Sequence, residues 1–589
     1  MKAIVTSGEA RTMAKITAAF LGALTVLLGH GATGTTTWYV DQSVIRSGNG
    51  KSWSTAFKWI QKGIDSASEG DTVVVAKGTY YENIQFKGEN IVLTSTDPDD
   101  PWVVALTIID GSSAGPVVMF SGSEDETAVL CGFTIRNGSV WGGIIGGRSR
   151  ATIRNNLITG NVGADGGGVS YCNGTIHDNY ISGNSAEYGG GIGVCHGIIR
   201  SNTISGNTTI HGGGGLYLCN GTVQDNVISD NSSVWNGGGL HDCDGTITGN
   251  LITDNSVTGQ DGQGGGLSFC DGSILSNTIT GNSSVYLGGG LCLCGGIIRG
   301  NVISGNRSED AGGGLAFCGG TIDRNIITAN WAHNEGGGVY GGGVYGDVFS
   351  NLIAGNSCWR GGGLARCYGD IVNNTIVANA ATDAGGGLRM CSGLVQNCII
   401  WGNTALHGAP QLEQSQPAFC CIQDWVGGGD GNISSNPWFV DADGPDNDPE
   451  TYDDNNYRLL SFLGIVSPCI DSGKNEPWMW TARDLDGNNR IVPGTSSATV
   501  DMGAYEHRSF RFEIVKVERT LSDGGKPHLT WNSRPGDTYV VWSRPFFPTG
   551  MSILPWTEEA TVPSEGHTTS WIDPLFTAQK KFYRVELKP

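Results

Sequence analysis

Lysine is missing from the whole stretch between Lys87 and Lys474, and the chain of 589 residues carries a net charge of −21. A protein that grips a polyanion presents a basic surface, so nucleic acid is excluded as a partner. Proline is sparse, at 19 residues against 95 glycines, and no strict G-X-Y period exists, which excludes collagen. Long apolar runs are missing as well. The single candidate, ITAAFLGALTVLL from Ile16 to Leu28, is too short for a comfortable membrane span. It follows Lys2, Arg11 and Lys15 and precedes the small residues of GHGATGT, the layout of an export signal. Residues 1–34 are therefore read as a signal peptide, cut between Gly31 and Thr36. The product expected is soluble, secreted or at the cell surface, with no membrane span after signal removal. The competing reading is an apolar tail that stays attached.

What the chain does contain is repetition. GGGLYLCNGTVQDNVISDN from Gly213 is preceded by GGGIGVCHGIIRSNTISGN from Gly189 and followed by GGGLHDCDGTITGNLITDN from Gly237. One asparagine file runs Asn156, Asn179, Asn202, Asn226, Asn250, Asn277, Asn301, Asn325, Asn351 and Asn374, and a second sits five residues later at each step, from Asn161 to Asn403. A period in this range marks a solenoid, each repeat burying its apolar face against its neighbours. The pieces TVQDN and NVISD alternate and are bounded by Gly, Asn and Asp, and no repeat offers ten residues without a breaker. Strands fit and helices do not. Three short strands and three turns per coil are predicted, stacked about 4.8 Å apart as a parallel β-helix. Glycines permit tight turns and close approach, inward Asn side chains satisfy backbone groups, and Asn-Gly and Asp-Gly pairs such as Asn220-Gly221 and Asp244-Gly245 are turn chemistry.

A cysteine file comprises Cys172, Cys195, Cys219, Cys243, Cys270, Cys294, Cys318, Cys367 and Cys391, with Val344 in the omitted place. Valine replaces a packed thiol but neither a metal ligand nor a disulfide partner, which favours packing. Partial pairing along the file and a soft-metal site are the alternatives. Cys420, Cys421 and Cys469 are the better disulfide candidates.

With these repeats in view, the region from Asp71 (DTVVVAKGTYYENI) to Asn403 resembles the right-handed parallel β-helix superfamily typified by pectate lyases. The GGGL copies also resemble the GGAI repeats of polymorphic outer-membrane adhesins. WYVDQSVIRSGNGKSWSTAFKWIQKGIDSA, from Trp38, resembles the leader of many exported bacterial β-helices. The phrases NISSNPWFVDADGPDNDPE, NNYRLLSFLGIVSPCIDSG, RDLDGNNRI and VDMGAYE resemble, in that order, the choice-of-anchor Q domain. The fold class expected is all-β: a right-handed parallel β-helix solenoid with a small C-terminal β-sandwich module. The divisions are residues 35–70 for the leader and cap, 71–404 for the β-helix, 405–508 for the choice-of-anchor Q-like closing region and 509–589 for the sandwich. HLTWNS, TYVVWSR and TTSWIDP supply its strands. No sorting tail is visible after them.

The superfamily includes polysaccharide lyases, whose chemistry needs a base for a proton alpha to a carboxylate and a cation for the charge that develops. Resemblance to the lysine-using lyases fails, since the coils hold no lysine. The pectate lyase pattern, with aspartates on Ca²⁺ and an arginine, makes stacked aspartates worth testing. Asp244 and Asp271 share a place in consecutive coils, where turn residues are the bland reading. Asp242 interrupts a column of Tyr171, Val194, Leu218, Phe269, Leu293, Phe317 and Met390, as does Arg366. His241 and Tyr217 lie one coil apart beside it, so Tyr217, His241 and Asp242 form the candidate catalytic patch, against the alternative of a solvated face. Arg154, His177 and Arg200 share one column and could meet an acidic sugar or pair with nearby Asp178 and Asp225. Tyr188, Trp235, Tyr286 and Trp359 precede glycine runs along one edge, suited to stacking on sugar rings or to covering the rim of the core. Asp441 and Asp443 open an acidic run, DADGPDNDPETYDDNN, able to ligate Ca²⁺ or simply to be solvated; it lacks the spacing of an EF-hand.

Two functions remain open. One is an exported bacterial β-helix scaffold for recognition or adhesion, binding a polysaccharide or cell-surface glycan. The other is a polysaccharide-degrading enzyme, a lyase or hydrolase. The scarcity of lysine and of convergent carboxylates favours the first. A groove in which carboxylates and arginines converge is the observation that would favour the second.

Overall fold

Between Gly213 and Asn236 the chain makes one circuit of four short strands: Leu216–Tyr217, Thr222–Gln224, Val227–Ser229 and Ser232–Ser233. Each lies parallel to its counterpart one circuit later, with Leu216 opposite Leu240, Val223 opposite Ile247, Ile228 opposite Ile252 and Ser232 opposite Ser256. Repetition of this register builds four faces, of 14, 16, 15 and 11 strands in the order in which the circuit visits them. The fourth face, running from Val162–Gly163 to Thr404–Ala405, corrects the expectation of three strands per coil. Its strands are mostly two residues long, and two of them, Ser232–Ser233 and Ser283–Ser284, are serine pairs, too short and too polar to announce themselves.

This computed structural model describes residues 35–507, apart from 344, 447, 449–451, 453, 463–464 and 492–498, together with six C-terminal strands within 514–587. The proposed signal peptide and Val344 lie outside the described residues. The chain divides into two units, Met1–His507 and Arg508–Pro589.

Alternation explains what faces inward. In TVQ the central Val223 is buried and its neighbours are half-exposed, and Ile153, Ile176, Ile199, Ile247 and Ile274 fill the same place in other coils. Each buried aliphatic side chain contributes about 1.5–3 kcal/mol, so the file of β-branched residues is the main adhesive between coils. Asparagine handles the corners. Asn231 Nδ2 donates to the Ile204 carbonyl at 2.9 Å and to Asn255 Oδ1 at 3.0 Å, and Asn255 Oδ1 also accepts from the Asn231 backbone N–H at 3.1 Å. The other file repeats the pattern, as Asn226 does with Ile199 and Asn250. Buried polar groups at a bend are thereby satisfied.

The cysteine file is buried inside the same core, and all sixteen cysteines are free thiols. Cys219 Sγ donates to the Tyr217 carbonyl at 3.3 Å, and Cys243 Sγ accepts from the Cys219 N–H at 3.4 Å. The glycine run is dictated by contact: Gly213 has φ +69, and a Cβ on Gly214 would stand 2.3 Å from the Gly238 carbonyl oxygen. Next to each file cysteine sits a residue in the left-handed region, including Leu218 (φ 48), Asp242 (φ 57), Phe269 (φ 51) and Arg366 (φ 52). Such a conformation costs about 1–2 kcal/mol per residue and is imposed by the ladders on either side.

The N-terminal end is closed by Thr37–Val40, which pairs in parallel with Thr72–Val75, and by the short helix Ile60–Ile64, whose Ile60 and Ile64 enter the core. At the other end residues 436–506 fold back over the third face. There Leu352, Ala354 and Val377 are buried against Tyr457, Ala504 and Tyr505. Arg490, fully buried, clasps the junction: it donates to the Gly503, Ala504 and Asn373 carbonyls and to Glu506 at 3.0 Å. Burial pushes the Glu506 carboxyl up to about 9, against the pull of Arg490, and the Asp501 carboxyl up to about 7. The C-terminal unit contains two antiparallel sheets of three strands, with Leu529 and Trp531 of one sharing a core with Tyr539, Val541 and Val585 of the other.

Candidate functional site

Two columns of outward residues face each other where the fourth face turns into the first. On one side, the second residues of the first-face strands run Tyr217, His241, Ser268, Cys292, Ala316, Tyr340, Ala365, Arg389 and Glu413. On the other, isolated bridges align Gly212, Asn236, Gln263, Leu287, Ala311, Glu335 and Arg360. The middle of this corner is apolar, with Leu287, Cys292, Ala311 and Ala316 packed together and flanked by Phe317 and Tyr340. Titratable groups gather at both ends.

The N-terminal end contains the predicted patch. Tyr217 and His241 stack at 5.7 Å and 21°, and Tyr188 adds a ring 4.8 Å from Tyr217 and another contact, at 4.8 Å, with His211. His241 fits because Gly212 opposite has no side chain: a Cβ there would stand 2.3 Å from the imidazole. The ring is further fixed by Ser268 Oγ, 2.8 Å from Nδ1, and by the edge of Phe269. Burial pulls the His241 pKa below its ordinary value. Burial also raises those of Asp242 and Tyr217, helped for Asp242 by Asp244 and opposed by His241. A neutral imidazole beside a carboxylate and a phenol is an arrangement able to exchange protons.

At the C-terminal end only Trp359 was foreseen as a site residue. Glu335 accepts both Nε and Nη2 of Arg366 and, at 2.8 Å, Nη1 of Arg389, whose Nε reaches Glu413 at 2.8 Å. Tyr340 lies beside this network, its phenol pKa raised by burial and then by Glu335. Alongside opens a cleft of about 680 Å³ lined by Trp331, His333, Asn334 and Trp359 among others. A second cleft of about 320 Å³ shares Asn334 and Trp359 with it and adds Asp310, Glu335, Tyr340 and Arg360. Arg307 lies 3.7 Å over the Trp331 ring and Arg360 4.3 Å over Trp359, with Arg360 Nε held by Asp383 at 2.6 Å. Carboxylates, a guanidinium and an indole thus converge on the second cleft, which adjoins the first through Asn334 and Trp359. Arg366 and Trp359 carried a sequence signal. Glu335 and Arg389 become visible only when the NEGGGVY and GGGLRMC copies are set against their neighbours.

Other predicted residues disperse. Trp235, Tyr286 and Trp359 do share a file, each preceding a bridged residue, but His211, Gly262, Asp310 and Asn334 occupy the same place in other coils. At about 4.8 Å per coil the three rings are roughly 10 and 14 Å apart. Tyr188 belongs to the adjacent column, opposite Gly212, and turns toward His211 and Tyr217 instead. Arg154, His177 and Arg200 are in register on the second face, away from the corner, with Arg154 4.0 Å from Asp99 and His177 2.6 Å from Asp178. Asp244 and Asp271 are exposed turn residues: Asp244 Oδ1 accepts the Asp271 N–H at 2.9 Å and Asp271 Oδ1 the Gly295 N–H at 2.6 Å. Asp441 and Asp443 lie far along the chain in the closing segment, where desolvation and a hydrogen bond from the Asp441 carboxyl to Asp443 raise the Asp441 pKa. Among the described residues no three His, Cys, Asp or Glu side chains gather where they would hold a metal.

Residues 64–263, about a third of the chain, match the profile of a family described as periplasmic copper-binding protein (NosD). The chain is an all-β parallel β-helix repeat protein. Solved structures similar to it include that of pectate lyase Pel9A, with 13% identity over 81% of this chain and 98% of that one and a TM-score of 0.21. Another is the complex structure of XylC with xylose, with 12% identity over 64% of this chain and 86% of that one and a TM-score of 0.25. No curated protein matches the sequence. No helix among the described residues is long and apolar enough to cross a membrane.

Proposed function

We propose that this β-helix is exported and binds a linear polysaccharide along the corner between its fourth and first faces. The carrying observation is the pair of adjoining clefts around Trp331 and Trp359, bordered by Glu335, Arg360 and Arg366. Indole faces suit the apolar faces of sugar rings, and the neighbouring carboxylates and guanidinia supply hydrogen bonds to hydroxyls and acidic groups. The file of stacked coils presents such groups at a fixed interval, which suits a polymer better than a small molecule. The N-terminal run read as an export signal and the periplasmic description of the family matched over residues 64–263 support export.

Copper, named in the family description, does not suit the residues present. The thiols within the matched region are buried in the core and donate to carbonyl groups, as Cys195 does to Gly193 at 3.3 Å. Burial pushes the Cys172 thiol up to about 11, so the protonated form is retained, whereas a metal takes the thiolate.

A second reading, cleavage of the bound polymer, is favoured by the Tyr217, His241 and Asp242 group at the far end of the same corner. One assay separates the two. The full chain is passed over immobilised pectin, alginate and glycosaminoglycans, with and without Ca²⁺, and the eluate is read for unsaturated or reducing products. Retention without products supports binding, and Trp359→Ala is expected to weaken it about tenfold, the equivalent of ~1.4 kcal/mol. Products that vanish in His241→Ala would establish cleavage instead. No retention on any polymer would overturn both.

A further inference from the structure

Cys420 and Cys421 are adjacent, yet they face opposite sides of the wall. Cys420 points into the core, where its Sγ accepts from the Cys398 N–H at 3.3 Å and continues the first asparagine file. Cys421 lies in the last strand of the third face, opposite Ile399, and points outward under the closing segment. The residue it meets there is Cys469. Both are fully buried, in one cluster with Ile399, Leu459 and Met502, and the Cys469 thiol is within hydrogen-bonding reach of the Cys421 thiol. Backbone on each side is anchored: the Cys469 N–H donates to Ser467 Oγ at 3.2 Å, its carbonyl accepts the Met502 N–H at 3.0 Å, and Cys421 Sγ contacts the Ser435 carbonyl at 3.2 Å.

We infer that Cys421 and Cys469 are a disulfide site that rivets the closing segment to the end of the β-helix once the chain meets an oxidising environment. The nine-membered file is a poorer substrate. Its neighbours stand in parallel register, about 4.8 Å apart, whereas a disulfide needs Cβ atoms about 3.5–4.5 Å apart. In the run from Cys172 to Cys318 each interior member also has two equivalent neighbours, so no unique pairing is specified there, while Cys367 and Cys391, set apart by Val344, are still held at the strand spacing. Cys421 and Cys469 come from different segments, are not held to the strand spacing, and have one thiol partner each. Oxidation runs by exchange with a small disulfide such as glutathione disulfide. One protein thiolate breaks the oxidant's S–S bond, releasing one thiol and leaving a mixed disulfide. The second protein thiolate displaces the remaining glutathione thiol. One protein S–S bond forms, one oxidant S–S bond is reduced to two thiols, and the two protein protons end on those glutathione thiols by way of solvent. Burial makes the exchange a step of folding, before the segment closes.

The test is made on the full chain refolded in glutathione buffer, so its outcome does not depend on export or on polysaccharide binding. After denaturation and alkylation, peptide mapping under non-reducing conditions is expected to show one cross-link, joining the peptides of Cys421 and Cys469, with the file cysteines alkylated. Reductant is expected to lower the Tm of the wild type by several degrees and to leave that of Cys469→Ala unchanged. Both cysteines found alkylated after refolding, or a cross-link within the file instead, would overturn the inference. The wild-type peptide map decides the matter even if the variant fails to fold.

Discussion

Asn255 holds four partners: its Oδ1 accepts the N–H and Nδ2 of Asn231, and its Nδ2 donates to the Ile228 carbonyl and to Asn282 Oδ1. Alanine there would leave these groups buried without partners, at about 1–3 kcal/mol for each one orphaned. Asn255→Ala is expected to cost about 3–5 kcal/mol overall, measured by urea unfolding. Cys243→Ala, which removes a packed thiol, is expected to cost about 1 kcal/mol. The comparison checks that the asparagine files carry specific polar work and the cysteine file mainly volume. Both files were legible in the sequence because an inward position meets the same surroundings in every coil, and one residue type answers them each time. That the thiols mainly fill volume follows from their burial in one file within the core.

At the level of the element, the fourth strand decides where function can sit, and it was the least visible. Pairs such as Ser232–Ser233 give no alternation to detect, yet they swing the chain so that Gly212 and Gln263 face His241 and Cys292 across a corner. Outward residues vary from coil to coil, and which of them meet depends on that swing. The Tyr217 and His241 stack was foreseeable from register alone. The Glu335 and Arg366 contact was not, since it joins residues 31 apart, across two different faces. Gly212 exposes the dependence. Gly212→Ala would place a methyl 2.3 Å from the His241 ring and drive it from the stack and from Ser268. Burial now holds the His241 pKa low. The variant is therefore expected to titrate nearer the ordinary value of about 6.5, as read by histidine NMR.

Across the whole molecule, the unit Met1–His507 depends on its closing segment, and that segment carries a pH dependence. Asp501 is buried, accepts the Asp471 N–H at 2.7 Å and the His507 N–H, and has its carboxyl pushed up to about 7. The native state then binds a proton that the unfolded chain releases near pH 4, so this contribution is complete below pH 4 and is lost as the pH rises through about 7. Relative to Asp501→Asn, the wild type is expected to lose about 2–3 kcal/mol between pH 5 and pH 8. Thermal melts of both proteins across that range supply the measurement. A difference that stays flat would mean that Asp501 is ionised in the fold.

Each coil receives from its predecessor, and passes on, the same hydrogen bonds: Asn207 gives to Asn231 what Asn231 gives to Asn255. Joining Gly212 directly to Gly237 would therefore recreate an existing seam, with Asn207 handed straight to Asn255. Whole turns become interchangeable links, and the length of the outer faces is a quantity the gene can count out, one repeat at a time, without redesigning either end.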